Sequence, residues 1–148
     1  MKKTSAPAFW DSSALVLLVC QQSLSAKARA AHRIHSWLQV WWGTRIECHS
    51  ALQRLIREGV LTSKEERQAI SSLGKLANQW IEILPAEELR LAAERLLSIH
   101  PLRAADALQL AAALMWCNSF PKGRPFICAD KILSEAATKE GFTVTFLK

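Results

Sequence analysis

The stretch PFICADKILSEAATKEGFTVTFL, Pro125 to Leu147, reads as a strand, a helix and a second strand in direct succession. Pro125 to Ala129 is a short, mostly apolar run that ends on Asp130. Lys131 to Glu140 has helical spacing, and Gly141 stands where a helix stops. Thr143 to Leu147 then combines β-branched and aromatic residues, as a terminal strand requires. Two strands separated by a helix form the basic unit of a parallel sheet, because parallel neighbours cannot be joined by a tight turn.

The same alternation extends back to the start of the chain. Further strands are predicted at Ala8 to Trp10, Leu38 to Trp42 and Trp80 to Leu84. Helical spacing covers Ser13 to Gln21, Ala26 to Trp37, Thr44 to Glu58, Ser63 to Gln79, Ala86 to Ile99 and Pro101 to Cys117. Within the third of these, Ala51, Leu52, Leu55 and Ile56 recur at three and four, and Arg57, Glu58 and Gly59 end the helix. Neither repeats nor low-complexity tracts occur. The pattern predicts one α/β domain over residues 1–148, with a largely parallel sheet and helices on both faces.

Nineteen Lys and Arg against 13 Asp and Glu give a net charge of +6, which favours anionic partners such as nucleic acid. The basic residues are scattered, so any basic patch must be assembled by folding. Cys20, Cys48, Cys117 and Cys128 form no C-x-x-C pair, and three lie in apolar stretches, which points to a reduced, cytoplasmic protein. His32, His35, Cys48 and His49 match structural zinc spacing poorly, since Cys48 and His49 are adjacent and point apart on a helix. Lys2 and Lys3 ahead of ALVLLVC imitate a secretion signal, but Asp11 stands where charge should give way to apolar residues. No run approaches the ~18 apolar residues of a membrane span.

Four carboxylates fall where function is expected. Asp11 and Asp130 follow predicted strands in AFWD and FICAD, at the carboxyl edge of the sheet, where α/β folds gather functional groups. Each also suits a helix N-cap, although Ser12 and Ser13 are equally good caps beside Asp11. Glu47, three residues after Thr44, fits a capping box and lies near the same edge. Asp106 is the hardest to explain structurally. Pro101 suits the first helical position, which leaves Asp106 beyond the first turn, on a helix of Leu and Ala nearly all round. A buried carboxylate is costly unless paired or bound to a metal, and an ion pair with Arg103 is worth only a few tenths of a kcal/mol. Four converging acids would repel one another, and a hard divalent cation resolves that conflict while also meeting substrate phosphates.

At these residues the chain resembles the PIN domains, in particular the small VapC-type toxin ribonucleases. FWDSSALV, TRIECHSAL, LRAADALQLAAAL, FICADKILSEAA and GFTVTFL carry the resemblance, in order, over nearly the whole chain. It implies a three-layer α/β/α domain with a short, mostly parallel central sheet of about five strands, and an acidic pocket binding Mg²⁺ or Mn²⁺. It maps the acidic set onto Asp11, Glu47, Asp106 and Asp130, with Ser13 as the hydroxyl after the first acid. Asp11 and Asp106 would hold the metal most directly, and Glu47 and Asp130 would complete the site. The implied activity is hydrolysis of RNA phosphodiester bonds by the toxin of a type II toxin–antitoxin pair, with a homodimer and a cognate antitoxin as partners and no membrane. The alternative is a non-catalytic PIN-like module that binds RNA or protein.

Three departures stand out: the aromatic lead Trp41, Trp42 and Gly43, Gln109 where this helix often carries His, and the long start from Lys2 to Pro7. Trp37, Trp41, Trp42, Trp80 and Trp116 read as core and interface anchors, with base stacking by Trp41 or Trp42 the lesser reading. His100, before Pro101, reads as a helix-entry residue.

Overall fold

A computed structural model describes residues 5–148. Lys2 and Lys3, the basic part of the signal-like start, lie outside the described residues. In chain order the elements are β1 (Pro7–Trp10), α1 (Ser12–Val19), α2 (Ser25–Ile34), β2 (Trp37–Trp41), α3 (Thr44–Arg57) and α4 (Ser63–Ala77). They continue with β3 (Ile81–Ile83), α5 (Glu87–Ile99), α6 (Ala104–Trp116), β4 (Pro125–Cys128), α7 (Lys131–Glu140) and β5 (Thr143–Phe146). The five strands form one sheet in the order β3-β2-β1-β4-β5, and every pairing is parallel.

Strand parity builds the three layers. Successive strand residues face opposite sides. Ala8, Trp10, Leu38, Val40 and Ile127 therefore enter one core, against α1 to α4. Phe9, Trp41, Phe126 and Cys128 enter the other, against α5 to α7. Such strands are buried on both faces and read as continuous apolar runs. Helix α1 is buried nearly all round, at Ala14, Leu15, Val16, Leu17 and Val19, as ALVLLVC suggests. Among the described residues no helix is long and apolar enough to cross a membrane. All four cysteines are free.

The chain runs from β1 to β2 and β3 on one side, then returns to place β4 on the other side of β1. The strand order thus reverses between β1 and β4, and at such a point the loops diverge and open a crevice. The βαβ unit that defines the sheet edge closes as the sequence predicts. Gly141 takes φ 113° at the end of α7, in the left-handed region that favours glycine, and Phe142 donates back to Ala137.

Three sequence expectations need correction. Helix α6 begins at Ala104, with extended Arg103 as its N-cap, because His100 to Arg103 do not enter the helix. His100 ends α5, and its Nε2 lies 2.7 Å from Glu140 Oε2. Of the tryptophans read as core or interface anchors, Trp41 and Trp80 are buried and Trp37 and Trp42 are 63% and 53% exposed, outside the core. Trp37 opens β2 and does not end the helix expected over Ala26 to Trp37, since α2 stops at Ile34.

Gly43 lies between the buried end of β2 and the first turn of α3. A Cβ there would stand 2.5 Å from the indole Nε1 of Trp41, an approach that real side chains do not make. Gly74, within α4, has nothing within 4 Å of its Cβ position. In urea unfolding, Gly43→Ala is expected to lose about 1–3 kcal/mol from overpacking, whereas Gly74→Ala gains about 0.5–1 kcal/mol from helix propensity. Equal stabilisation by both would show that the β2–α3 junction has room the structure denies it.

Candidate functional site

Each of the four predicted acids sits at the amino-terminal end of a different helix. Asp11 is the N-cap of α1 and accepts the backbone N–H of Ser13 at 3.1 Å. Asp130 is the N-cap of α7 and accepts from Leu133 N at 2.8 Å. Glu47 lies in the first turn of α3 and Asp106 in the first turn of α6. All four line one cavity of about 590 Å³ at the carboxyl edge of the sheet, beside the β1–β4 reversal.

The geometry revises the sequence reading of two of them. The expected Thr44–Glu47 capping box is absent, because Gly43 is the N-cap and Thr44 is already helical. Gln109, reaching from α6, donates through Nε2 both to Thr44 Oγ1 and to Glu47 Oε2, each at 3.0 Å. Glu47 Oε1 accepts from Ser12 Oγ at 3.2 Å. Glu47 is therefore held by two side-chain donors from other elements. Asp106 is in the first turn of α6, not beyond it, so the helix N-terminus does face its charge. It is half-buried and forms no ion pair with Arg103 among the described residues.

Asp11 is the best-shielded of the set, with 2% of its surface exposed. The Ser13 hydroxyl donates to Asp11 Oδ2 and accepts the backbone N–H of Ala129 at 2.9 Å. One hydroxyl thus orients the β1 acid and pins the turn that carries Asp130. Cys128, also buried, sits beneath that turn. Its thiol is 3.8 Å from Asp11 Oδ2 and accepts from Asp130 N at 3.2 Å. Sequence reading assigned Cys128 only a packing role and could not foresee these contacts. They follow from the fact that β4 lies beside β1 in the sheet.

Burial and mutual repulsion act on these groups together. Burial pushes the Asp11 carboxyl above its ordinary range, against the opposing effect of the Ser13 hydrogen bonds. Glu47 is raised from 4.5 to about 7, chiefly by burial and then by the charge of Asp11. Asp106 is raised from 3.8 to about 6 by burial, Asp11 and Asp130, with Arg103 working the other way. None of the four is within ion-pairing distance of a cation among the described residues.

The donor set is entirely oxygen, which suits Mg²⁺ or Mn²⁺ rather than zinc. No three His, Cys, Asp or Glu side chains among the described residues close into a ready-made cage, His32, His35, Cys48 and His49 included. An open arrangement of separated carboxylates fits a cation that keeps several of its waters. No protein-family model matches the chain, and no curated protein matches it significantly.

A carboxyl whose pKa is raised by folding contributes stability below its unfolded pKa and loses it as pH rises through the folded value. The metal-free protein should therefore lose stability between about pH 4 and 7 as Asp106 and then Glu47 ionise. Glu47→Gln and Asp106→Asn are expected to raise its stability at pH 8 by about 1–2 kcal/mol each, and to change it little at pH 4. Thermal melts in EDTA at the two pH values check this. Destabilisation at pH 8 would mean that these carboxylates serve the fold.

Proposed function

We propose that this protein is a PIN-type, Mg²⁺- or Mn²⁺-dependent endoribonuclease, the toxin of a type II toxin–antitoxin pair, acting in the cytoplasm. The observation that carries this reading is the convergence of Asp11, Glu47, Asp106 and Asp130 on one cavity, without a neutralising cation, in a chain of net charge +6. A mobile divalent cation would relieve the repulsion in such an unpaired cluster, which the surplus Lys and Arg of this chain do not. RNA suits the remaining charge, because a basic surface draws in the phosphate backbone.

Asp11 and Asp106 would hold the ion, with Glu47 and Asp130 completing the site. When bound, the ion supplies Lewis-acid activation of water and stabilisation of charge on the scissile phosphate. The protein's part is to position its ligands. Ser13 fixes the rotamer of Asp11, and Gln109 and Ser12 fix Glu47. The N-termini of α1, α3, α6 and α7 aim backbone N–H groups toward the site, which favours both the carboxylates and an entering phosphate. The buried Gln109 leaves its Oε1 without a hydrogen-bond partner, so this side chain is committed to Thr44 and Glu47 through its amide donor.

The rival reading, a non-catalytic PIN-like module, draws on the capping roles of Asp11 and Asp130. It leaves Glu47 and Asp106, neither of which caps a helix, with first-turn positions that a helix N-terminus favours by about 0.3–1 kcal/mol, and Glu47 with hydrogen bonds from Ser12 and Gln109. A homodimer and a bound antitoxin belong to the same proposal. Exposed Trp37 and Trp42 support protein–protein contact, since surface tryptophans are enriched at interfaces.

Purified protein is expected to cleave RNA with Mn²⁺ or Mg²⁺ and to stop in EDTA. Asp11→Asn, which retains a good cap, and Asp106→Asn should each lower cleavage at least about 100-fold while keeping the fold, and Ser13→Ala about 10–100-fold, as an orienting partner does. Undiminished cleavage by either Asn variant would remove the carboxylates from the mechanism.

A further inference from the structure

The cavity continues past the carboxylates into a groove between α1 and α3. Helix α3 presents Glu47, Ser50, Ala51, Arg54 and Leu55 to it, a spacing of three and four that keeps them on one helix face. Opposite, helix α1 shows only the edges of the buried Val16 and Leu17. The groove is therefore acidic at the end where both helices begin, and beyond it mixes apolar side chains with Gln22, Ser50 and Arg54. Arg54 is the only cation among the lining residues.

Arg54 does not neutralise the acids. It lies two helical turns from Glu47, about 10 Å along the axis. Its guanidinium is exposed and has no hydrogen bond or ion pair among the described residues. A lone guanidinium beside an apolar wall, next to a carboxylate site, offers two complementary surfaces at nucleotide scale. Arginine presents a planar fork of donors that matches phosphate oxygens, and an apolar wall accepts the face of a base that has left its stack.

We propose that this groove is a subsite for one unpaired nucleotide adjacent to the bond that is cut. Arg54, assisted by Ser50, holds that nucleotide's phosphate, while Ala51 and Leu55, half-buried on the same face of α3, form the surface for its base. The inference rests on the ribonuclease reading and adds a specificity-determining residue to it. It also accounts for the separation of Arg54 from the acids: paired with Glu47, the guanidinium would be lost to substrate.

The test is steady-state cleavage of a defined single-stranded RNA oligonucleotide with Mn²⁺, by wild type, Arg54→Ala and Arg54→Lys. Arg54→Ala should raise KM about tenfold or more, the scale of one charge-assisted contact, with kcat within about twofold. The slope of log KM against log salt should fall by about 0.7, the value for one phosphate contact on a single strand. Arg54→Lys should restore the salt slope, because it restores the charge. An abasic residue placed on one side of the cleaved bond should raise KM, whereas the same lesion on the other side should not.

If wild type cleaves and Arg54→Ala leaves KM and the salt slope unchanged, or lowers kcat instead, the subsite is wrong while the ribonuclease reading stands. If wild type cleaves RNA with no divalent metal tested, both fall together. Matching melting temperatures for the three proteins show that the exposed side chain acts on substrate and not on folding.

Discussion

The junction of β1 with β4 governs the architecture around the site. The backbone N–H of Asp11 donates to Ile127 O at 3.0 Å, so the first residue beyond β1 is still tied to the neighbouring strand. The Ser13 hydroxyl then links the Asp11 carboxylate to the backbone of Ala129. These contacts fix the two chain ends that leave the sheet at its point of reversal. Residues 117 positions apart, Asp11 and Cys128, come to share one buried contact. The remaining acids arrive on helices packed against opposite faces of the same sheet, Glu47 on α3 and Asp106 on α6.

Magnitudes show how far the fold itself accommodates the four acids. A helix N-terminus favours a nearby negative charge by about 0.3–1 kcal/mol. Holding Glu47 near 7 instead of 4.5 corresponds to a cost of about 1–2 kcal/mol for its charged form once solvent screening of the partly exposed carboxyl is allowed for. The converging helix ends reduce the electrostatic penalty and do not remove it. Hydrogen bonds from Ser12, Ser13 and Gln109 act in the same direction and are likewise insufficient. A site that remains unfavourable after these contributions is complementary to something not built into the chain, and under the proposed function a divalent cation would supply the missing charge.

Most of the fold was legible in the sequence because each strand is a short apolar run bounded by a polar residue, and each helix carries its own spacing. All five strands lie within a residue or so of their predicted bounds. The start of α6 was misplaced because Pro101 suits a first helical position in isolation, whereas the chain stays extended to Arg103. The placement of the four acids at one edge was legible from strand ends alone. Their partners were not: Gln109 takes Thr44 and Glu47 across more than sixty residues, which no local capping rule can anticipate. Cys128 was equally hidden, since a thiol reads as a small apolar residue until the strand beside it is known. Trp37 shows the same limit: helical spacing carries it to the end of the second predicted helix, whereas α2 stops at Ile34 and Trp37 opens β2 with its side chain exposed.

The central claim is that the carboxylate cluster is held unneutralised so that it can take a divalent cation. It is tested most directly by titrating Mn²⁺ into the metal-free protein by calorimetry at pH 6.5, in buffers of differing ionisation enthalpy. Because Glu47 is raised to about 7, the account expects saturable binding that releases a fraction of a proton or more, with affinity rising toward pH 8 and lost in Asp11→Asn. Absence of binding, or binding with no proton release and no dependence on Asp11, would contradict it.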